Sequence, residues 1–357
     1  MQVDKKNYST IWFENNKIKI IDQTKLPFKF LIKELNSLES FINAIKKMEV
    51  RGAPLIGVTA AFALAFETMR TPTKENILRT FQKLCNSRPT AINLKWALEE
   101  ITNIILKIPP DKRGEESLKI ASRIRDEDIK SCIKIGEYGL KVINKIYSKK
   151  KKCVNILTHC NAGWLATVDW GTALSPIFMA KRKKIPIHVW VDETRPRNQG
   201  ALLTSWELKN ENIPHTVIVD NAGGYLMQNK KVDMCLVGSD RTTIVGDVCN
   251  KIGTYLKAVV AYENNVPFFV ALPTSTIDKK VRKISDVPIE IREGSELSKV
   301  NVEINNNLIS ANIYKKETPT LNPAFDVTPR KFITKLITEK GICKPKKELI
   351  NKLLSNK

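Results

Sequence analysis

The second half of the chain contains five short runs of apolar, mostly β-branched residues, and helix-like segments separate these runs. The runs lack the alternation of polar and apolar residues that a strand with one exposed face shows. They are typical of strands that are covered on both faces of a parallel sheet. Strands that alternate with helices predict a doubly wound α/β sheet. The predicted strands cover residues 154–158, 185–191, 216–219, 234–237 and 268–272.

The first half of the chain follows a different pattern. Short alternating runs within the first 30 residues predict a small β-sheet, and from about residue 35 apolar residues recur at helical spacing. A stretch rich in proline and charge at 109–114 predicts a loop, and a long helical pattern follows at about 115–147. We therefore expect a mainly helical N-terminal domain with a small β-sheet at 1–128. A doubly wound α/β domain is expected at 129–357.

Length and composition exclude several classes of protein. At 357 residues, with 42% hydrophobic residues, the chain can bury a sizeable core without disulfides. Seven scattered cysteines without a C-x-x-C pair, and only three histidines, predict no metal site and favour a reducing, cytoplasmic compartment. We expect neither a signal peptide nor a membrane span, because the longest apolar stretch covers only residues 53–66. The sequence has no G-x-G-x-x-G motif and no P-loop, which argues against a nucleotide cofactor.

The chain carries a formal net charge of +22. Such an excess can indicate a nucleic-acid partner or an anionic surface. The lysines, however, are spread along the whole chain, and no aromatic residues interleave with the basic runs as a stacking platform would require. We therefore interpret the charge as a lysine-rich surface and do not expect a nucleic-acid partner.

Polar side chains follow four of the five predicted strands. Because the carboxyl ends of parallel strands meet at one edge of a sheet, these side chains are expected to share a crevice where a ligand binds. The alternative is that the acidic ones cap the helices that follow. The residues are His159, Cys160 and Asn161 after the first strand, Asp192 and Glu193 after the second, Asp220 and Asn221 after the third, and Ser239 and Asp240 after the fourth.

Cys160 and Asp240 are the candidates for chemistry. We expect a helix to begin just after Cys160, and a helix N-terminus would lower the pKa of the thiol and make it reactive. The alternative, a buried structural cysteine, suits Cys153 and Cys235 better because both fall inside predicted strands. Asp240 follows two small residues that allow a ligand to approach closely, so it is either an acid–base group or a helix cap. His159 is expected to be structural, since neighbours at a strand end point apart.

Several cations stand beside expected helix starts. Arg51 precedes Gly52 and Ala53 where an apolar helix should begin, which is a plausible anion site. Arg88 stands in the same relation to the next helix. A helix is expected over residues 250–263, so that Asn250 and Lys251 would lie at its start and Lys251 could reach a phosphate. Together these residues predict an anionic substrate held between the two domains.

Seven stretches of the chain, taken together, resemble the methylthioribose-1-phosphate isomerase family. They stand in the order of the family and extend from about residue 45 to 335. The stretches are RGAPLIGV at 51–58, RPTAINL at 88–94, THCNAG at 158–163, VDETRPRNQG at 191–200, GSDR at 238–241, GDVCNKIGTY at 246–255 and NPAFDVTP at 322–329.

The resemblance implies a fold like the one expected above, in which residues 129–357 form a Rossmann-like catalytic domain, and it implies a homodimer. It also implies an aldose–ketose isomerase of methionine salvage that needs no metal or organic cofactor. The substrate of the family is a furanose whose C1 oxygen carries phosphate, and the reaction opens the ring and moves hydrogen from C2 to C1. The implied catalytic residues are Cys160 and Asp240. The implied substrate-binding residues are Arg51, Gly52, Ala53, Arg88, Gln199, Asn250 and Lys251.

Two other functions belong to relatives of this family. A ribose-1,5-bisphosphate isomerase uses the same kind of cysteine and aspartate, but its second phosphate requires additional cations. A regulatory subunit of the translation initiation nucleotide-exchange factor shares the fold without catalysing a reaction. The presence of both Cys160 and Asp240 favours an enzyme.

Overall fold

One long helix connects the hydrophobic cores of the chain in the computed structural model, which describes residues 1–315 and 317–355. The helices are α1 (Leu38–Lys46), α2 (Ala53–Arg70), α3 (Lys74–Ser87), α4 (Ile92–Ile105), α5 (Pro110–Lys150), α6 (Ser175–Arg182), α7 (Ser205–Asn210), α8 (Ala222–Gln228), α9 (Thr254–Glu263), α10 (Ser295–Ser298) and α11 (Lys347–Ser355). The strands are β1 (Gln2–Val3), β2 (Lys6–Asn7), β3 (Ile11–Glu14), β4 (Lys17–Ile21), β5 (Ile32–Leu35), β6 (Val154–Thr158), β7 (Ile187–Asp192), β8 (His215–Ile218), β9 (Met234–Val237), β10 (Arg241–Thr243), β11 (Val248–Lys251), β12 (Phe268–Ala271), β13 (Ile277–Asp278), β14 (Lys299–Ile304), β15 (Asn307–Asn312), β16 (Phe325–Thr328), β17 (Lys335–Thr338) and β18 (Gly341–Cys343).

The small N-terminal sheet predicted from the first residues is present. Strands β3, β4 and β5 pair in antiparallel order. Asn15 and Asn16 join β3 to β4 with φ of 51° and 60°. A two-residue type I′ turn requires positive φ at both positions, and asparagine tolerates it. Ile18 and Ile20 of β4 are buried in the core of the N-terminal helices, so the sheet covers one side of this bundle.

Helix α2 lies at the centre of the N-terminal bundle, with α1, α3, α4 and α5 packed around it. Its residues are buried without interruption from Ala53 to Ala65. A helix that is apolar on all sides is stable in water only when other elements cover it. The long apolar stretch of the sequence is therefore the central helix of this bundle.

Helix α5 starts earlier than its sequence pattern indicates. We expected a loop at 109–114, but the helix begins at Pro110, because proline at the first helical position loses no intrahelical hydrogen bond. The helix runs for 41 residues. Its first part packs into the N-terminal core through Ile129, and from Ile135 onward it packs into the core of the second half. A domain boundary after residue 128 remains a prediction.

A seven-stranded sheet forms the second half, in the order β18-β17-β12-β9-β6-β7-β8. All neighbouring strands are parallel except the edge pair of β17 and β18. The five predicted strands correspond to β6, β7, β8, β9 and β12 with ends shifted by at most two residues. The predicted fold class, a helical N-terminal part followed by a doubly wound α/β sheet, is confirmed.

A second, four-stranded sheet in the order β13-β10-β11-β16 was not expected from the sequence. It corrects the prediction for Asn250 and Lys251, which lie on β11 and not at a helix start. Pairing of β11 with β10 and β16 holds these residues in a strand. The following helix, α9, begins only at Thr254.

No helix within residues 1–315 and 317–355 has both the length and the apolarity that crossing a membrane requires.

The contact between α5 and α6 leads to a first prediction. A Cβ atom on Gly139 of α5 would lie 2.2 Å from Cγ of Pro176 on α6. We expect Gly139→Ala to destabilise the protein by about 1–3 kcal/mol, because the overpacked helices must move apart. Gly224→Ala in α8 is the matched control, since its Cβ would lie 3.6 Å from the nearest atom, Cγ1 of Val260. Thermal unfolding of the two variants tests this, and equal midpoints for both would contradict it.

Candidate active site

A cavity of about 980 Å³, partly open to solvent, lies where the N-terminal bundle meets the sheet of the second half. It borders the carboxyl ends of β6 and β9, which are neighbours in the sheet although β7 and β8 separate them in the chain. The order of strands reverses at this point, and open α/β sheets bind ligands in such places. All nine residues proposed from the sequence line the cavity, namely Cys160, Asp240, Arg51, Gly52, Ala53, Arg88, Gln199, Asn250 and Lys251.

The backbone at Cys160 is held in an unusual conformation. Its φ is 66°, in the left-handed region that residues other than glycine rarely adopt. Two threonines fix this conformation. The Cys160 N–H donates to Oγ1 of Thr194 over 2.8 Å, and Oγ1 of Thr204 donates to the Cys160 carbonyl over 2.8 Å. The Cys160 thiol donates to Oε1 of Gln199 over 3.4 Å.

The expectation of a helix directly after Cys160 is wrong. Only a short 3₁₀ turn, Trp164–Ala166, follows, and the next α-helix is α6. The expected lowering of the thiol pKa is absent as well. Burial raises the pKa of Cys160 above its ordinary value, and the charge of Asp240 raises it further, while Arg51 and Lys251 oppose the shift. The resting side chain at neutral pH is therefore a protonated thiol.

Asp240 faces the same cavity as Cys160. It lies between β9 and β10, where its backbone N–H donates to the carbonyl of Cys249 over 3.0 Å. Its negative charge acts on Cys160 and on Lys251, raising the pKa of both groups. The carboxyl is half-buried, so it remains accessible to a bound molecule.

Arg51, Gly52 and Ala53 form one wall of the cavity, at the start of α2. The first N–H groups of a helix have no partner within the helix and attract anions. Gly52 has φ of 90°, and a Cβ there would lie 2.3 Å from the carbonyl oxygen of Ala166. Position 52 therefore requires glycine. Arg88, at the end of α3, adds a second guanidinium to this side of the cavity.

Asn250 and Lys251 line the cavity from β11. The Asn250 side chain donates to Oγ1 of Thr254 over 3.0 Å, and Nζ of Lys251 donates to the carbonyl of Ala324 over 2.9 Å. Burial and the nearby Arg292 lower the pKa of Lys251 to about 8. The ammonium is thus charged at neutral pH, yet it lies close to its titration range.

Arg292 is a cavity residue that the sequence analysis missed. Its guanidinium is nearly buried and pairs with Glu290, with Nε 3.0 Å from Oε1. Arg241, also in the cavity, pairs with Asp278 over 3.1 Å. Arg292 lies in a segment without long elements, and no strand-end or helix-start pattern marks it in a single sequence. Arg241 directly follows Asp240 and could have been included with it.

His159, Asp192 and Asp220 come close enough together to hold a metal ion. Their hydrogen bonds indicate a different arrangement. Nδ1 of His159 contacts Oδ2 of Asp192 at 2.8 Å, and Nζ of Lys257 lies 3.2 Å from the same oxygen. The two oxygens of Asp220 accept the N–H groups of Thr194 and Arg195. A lysine therefore supplies the positive charge of this cluster, and of the carboxylate oxygens only Oδ1 of Asp192 has no hydrogen-bond partner in the described part of the chain.

The sequence predicted that the polar residues after four strands share one crevice, and this holds for only some of them. Asp192 and Asp220 lie at the same edge of the sheet as Cys160 and Asp240. Of the polar residues predicted at the strand ends, however, only those after β6 and β9 line the cavity. Asp192 holds the ring of His159, whose Nε2 contacts the carbonyl of Ile252 at 2.8 Å. Cys153, expected inside a strand, is exposed and precedes β6, whereas Cys235 is buried in β9.

A cation-rich cavity that holds a thiol and a carboxyl at the reversal of an α/β sheet defines an enzyme that acts on a small phosphorylated molecule. Comparisons with known proteins agree. The model of the initiation factor 2 subunit family matches residues 49–345. The methylthioribose-1-phosphate isomerase of Methylobacterium nodulans is 50% identical over 98% of this chain and 96% of its own length. The relative of the same name from Escherichia coli is also 50% identical, over 98% of this chain and 95% of its own length.

Solved structures show the same fold over nearly the whole chain. The crystal structure of 5-methylthioribose 1-phosphate isomerase from Pyrococcus horikoshii has a TM-score of 0.85 and 36% identity, covering 99% of this chain and 97% of that one. A structure described as translation initiation factor eIF-2B, subunit delta, from A. fulgidus has a TM-score of 0.79 and 37% identity, covering 98% and 99%. The chain belongs to the initiation factor 2 subunit family and, within it, to the methylthioribose-1-phosphate isomerases. It is an enzyme of the aldose–ketose isomerase class.

The lowered pKa of Lys251 leads to a second prediction. Because this pKa is about 8 in the free protein, raising the pH above 8 removes a positive charge from the cavity. We expect kcat/KM for a sugar phosphate to fall between pH 8 and pH 9.5, since kcat/KM follows the ionisation of the free enzyme. Steady-state kinetics over this range test the expectation. Lys251→Met should show a lower kcat/KM without this alkaline decrease, and an unchanged decrease in that variant would assign it to another group.

Proposed function

We propose that this chain converts 5-methylthioribose 1-phosphate into 5-methylthioribulose 1-phosphate in methionine salvage. The observation that carries the proposal is the shared cavity of Cys160 and Asp240, with Arg51, Arg88 and Lys251 in its walls. Relatives at 50% identity that bear this enzyme's name support the choice of substrate.

The substrate explains why such a site needs an acid. Phosphate on the C1 oxygen prevents the ordinary opening of a furanose to a free aldehyde. Protonation of the ring oxygen is then required before the bond between that oxygen and C1 can break. We assign this proton to the carboxyl of Asp240, which carries a negative charge in the free protein and must therefore take up a proton when the substrate binds. The product of this step carries a hydroxyl at C4, a cationic C1 bonded to the phosphate oxygen, and a carboxylate on Asp240.

Hydrogen then moves from C2 to C1. In a hydride shift, the C2 hydrogen and its electron pair pass to C1, the C2 hydroxyl becomes a carbonyl, and its proton returns to Asp240. In a phosphoenolate route, a Cys160 thiolate removes the C2 proton to give an enol, the thiol returns that proton to C1, and the proton of the C2 hydroxyl passes to the Asp240 carboxylate as the C2 carbonyl forms. Burial raises the pKa of Cys160, so the thiolate is disfavoured in the resting protein. This favours the hydride shift beside a protonated Cys160.

The charges around the cavity favour a substrate with one phosphate. Arg241 is paired with Asp278 at 3.1 Å, and Glu290 is shared by Arg292 at 3.0 Å and Arg88 at 3.8 Å. A ribose 1,5-bisphosphate would need further cations that are not already paired. Apolar side chains in the lining suit a methylthio group; they include Met48, Ile56, Pro273, Pro288 and Phe325.

We also propose a homodimer in the cytoplasm. Val217 on the edge strand β8, Val219 on the loop after it and Tyr225 on α8 are all exposed at the free edge of the large sheet. Several exposed large apolar residues in one region of a monomer indicate a surface that another chain covers. The seven unpaired thiols suit a reducing compartment.

A third prediction tests the catalytic pair. Asp240→Asn is expected to lower kcat on 5-methylthioribose 1-phosphate by about 10²–10⁴-fold, the usual contribution of a positioned acid–base group. Cys160→Ser is expected to lower kcat by about 5–10-fold, because in a hydride shift the protonated thiol contributes roughly one hydrogen bond and no proton transfer. Both variants keep the size of the side chain, and thermal unfolding should confirm an intact fold. Cys235→Ser, a buried cysteine outside the cavity, is the matched control. Near-normal kcat in either active-site variant would show that the residue takes no part in the mechanism. Faster turnover of ribose 1,5-bisphosphate than of 5-methylthioribose 1-phosphate by the wild type would contradict the proposed substrate.

A fourth prediction separates the two routes of hydrogen transfer. With substrate carrying deuterium at C2, a hydride shift retains the label at C1 of the product, because the hydrogen never joins an exchangeable group. We expect retention, since the raised pKa of Cys160 keeps the thiol protonated. Mass spectrometry of the product made in ordinary water gives the answer. Substantial loss of deuterium to the solvent would establish the phosphoenolate route instead.

A further inference from the structure

Glu207 is a buried carboxyl that the mechanism above does not use. It lies on α7 with no exposed surface. Its oxygens accept three N–H groups, from the backbone of Trp164 at 2.9 Å, the backbone of Leu165 at 3.2 Å and Nδ2 of Asn161 at 2.8 Å. Burial raises the pKa of Glu207 to about 7, and these hydrogen bonds oppose the shift because they stabilise the carboxylate. A carboxylate in an apolar interior is costly unless it is bonded in this way.

Asn161 connects this carboxylate to the cavity. Its Nδ2 donates to Glu207 and, over 3.1 Å, to Oγ1 of Thr204. Its Oδ1 accepts a hydrogen bond from Nη1 of Arg51, and its backbone carbonyl accepts one from Nη2 of Arg51 at 2.6 Å. The chain of contacts thus runs from Glu207 through one amide to both terminal nitrogens of the guanidinium.

The orientation of the Asn161 amide follows from its two neighbours. A carboxylate only accepts hydrogen bonds and a guanidinium only donates them. The amide nitrogen must therefore face Glu207 and the oxygen must face Arg51. If the carboxylate were replaced by a group that also donates, the amide could turn and present its N–H₂ to the guanidinium, which would lose its partner.

The backbone around Gly163 is shaped to keep Glu207 in place. A Cβ on Gly163 would lie 1.8 Å from Oε2 of Glu207, so the carboxyl occupies the space that any other side chain would need. The two backbone donors of Trp164 and Leu165 come from the turn that directly follows. The carboxyl is therefore fixed by the backbone, and the Asn161 amide is fixed in turn by the carboxyl.

We propose that Glu207 is a positioning residue that holds the Arg51 guanidinium, through Asn161, in the orientation that binds the phosphate of the substrate. This inference deepens the proposed function and rests on it. Arg51 lines the cavity together with Arg88 and Lys251, and each of its terminal nitrogens has a second N–H beyond the one that Asn161 accepts. A long arginine side chain loses rotational freedom when it binds an anion, and a guanidinium that is already held loses less. The gain is in binding, so it should appear in KM.

The fifth prediction concerns Glu207→Gln. All three groups that face the carboxylate are N–H donors, so the N–H₂ group of a glutamine at this position must face one of them. The carboxylate that fixed the orientation of the Asn161 amide is then lost. We expect KM for 5-methylthioribose 1-phosphate and the Kd of inorganic phosphate to rise about 5–10-fold, the size of roughly one ordinary hydrogen bond, because the guanidinium itself is retained, with kcat changed less than twofold. Glu211→Gln, which lies outside the cavity and changes only a distant pair with Arg182, is the matched control and should match the wild type.

A double-mutant cycle separates positioning from a general structural role. In an Arg51→Met background, adding Glu207→Gln should not weaken phosphate binding further, because the group that Glu207 positions is gone. Full additivity of the two losses would overturn the proposal. If Glu207→Gln does not fold, Asn161→Ala serves in its place. This variant leaves both backbone donors to Glu207 and should weaken phosphate binding to a similar extent, whereas unchanged affinity would also overturn the proposal.

Calorimetric titration with inorganic phosphate keeps this test separate from the identity of the substrate. If the wild type fails to convert 5-methylthioribose 1-phosphate, the proposed function is wrong, while the phosphate cycle still decides the role of Glu207. If the wild type turns over normally and the cycle is additive, only the role of Glu207 is wrong.

Discussion

The buried contact between Arg51 and Asn161 joins the two halves of the molecule at the point where the cavity forms. Arg51 precedes the central helix of the N-terminal bundle, and Asn161 follows the first strand of the large sheet. Neighbouring contacts support it. Nε2 of Gln23 donates to the carbonyl of Leu165 over 2.7 Å, and Gly52 packs directly on Ala166. Because a buried guanidinium without partners is costly, this polar contact favours one docked arrangement of the two halves.

Charge is distributed in the cavity so that few cations are left for a ligand. Arg292 and Arg241 have carboxylate partners, Arg51 is held by an amide and a carbonyl, and Lys251 is held by the carbonyl of Ala324. Partners that are neutral leave the positive charge uncompensated, whereas carboxylates cancel it. Arg51 and Lys251 are therefore the groups with the strongest attraction for phosphate, and the paired arginines shape the wall.

The sequence predicted the positions of functional residues best where these residues lie at the ends of regular strands. Buried strands have a clear pattern, so β6 and β9 could be located, and with them Cys160 and Asp240 at their ends. The prediction failed where long-range pairing decides local structure. Val248–Lys251 has only four residues and becomes a strand because β10 and β16 flank it. Glu207 and Arg292 give no local signal, because their importance comes from contacts with residues far away in the chain.

The resemblance supplied the site residues that spacing alone could not assign, Gln199 among them. Gln199 lies on the loop between β7 and a short π-helical turn, Gly200–Thr204. Its side-chain oxygen accepts a hydrogen bond from the Cys160 thiol, and no periodic pattern predicts this geometry. The fold and the positions of the two reacting groups follow from general principles, and the details of the binding wall depend on pairing and loops.

Helix α5 limits how the molecule can move. It enters both hydrophobic cores without interruption, and it contains no proline after its first residue and no break over its 41 residues. A hinge between the halves would have to bend or unwind this rod while both ends remain anchored. Access for a ligand therefore depends on the loops at the rim of the cavity, such as the segment that carries Pro288 and Arg292, while the frame behind them stays rigid.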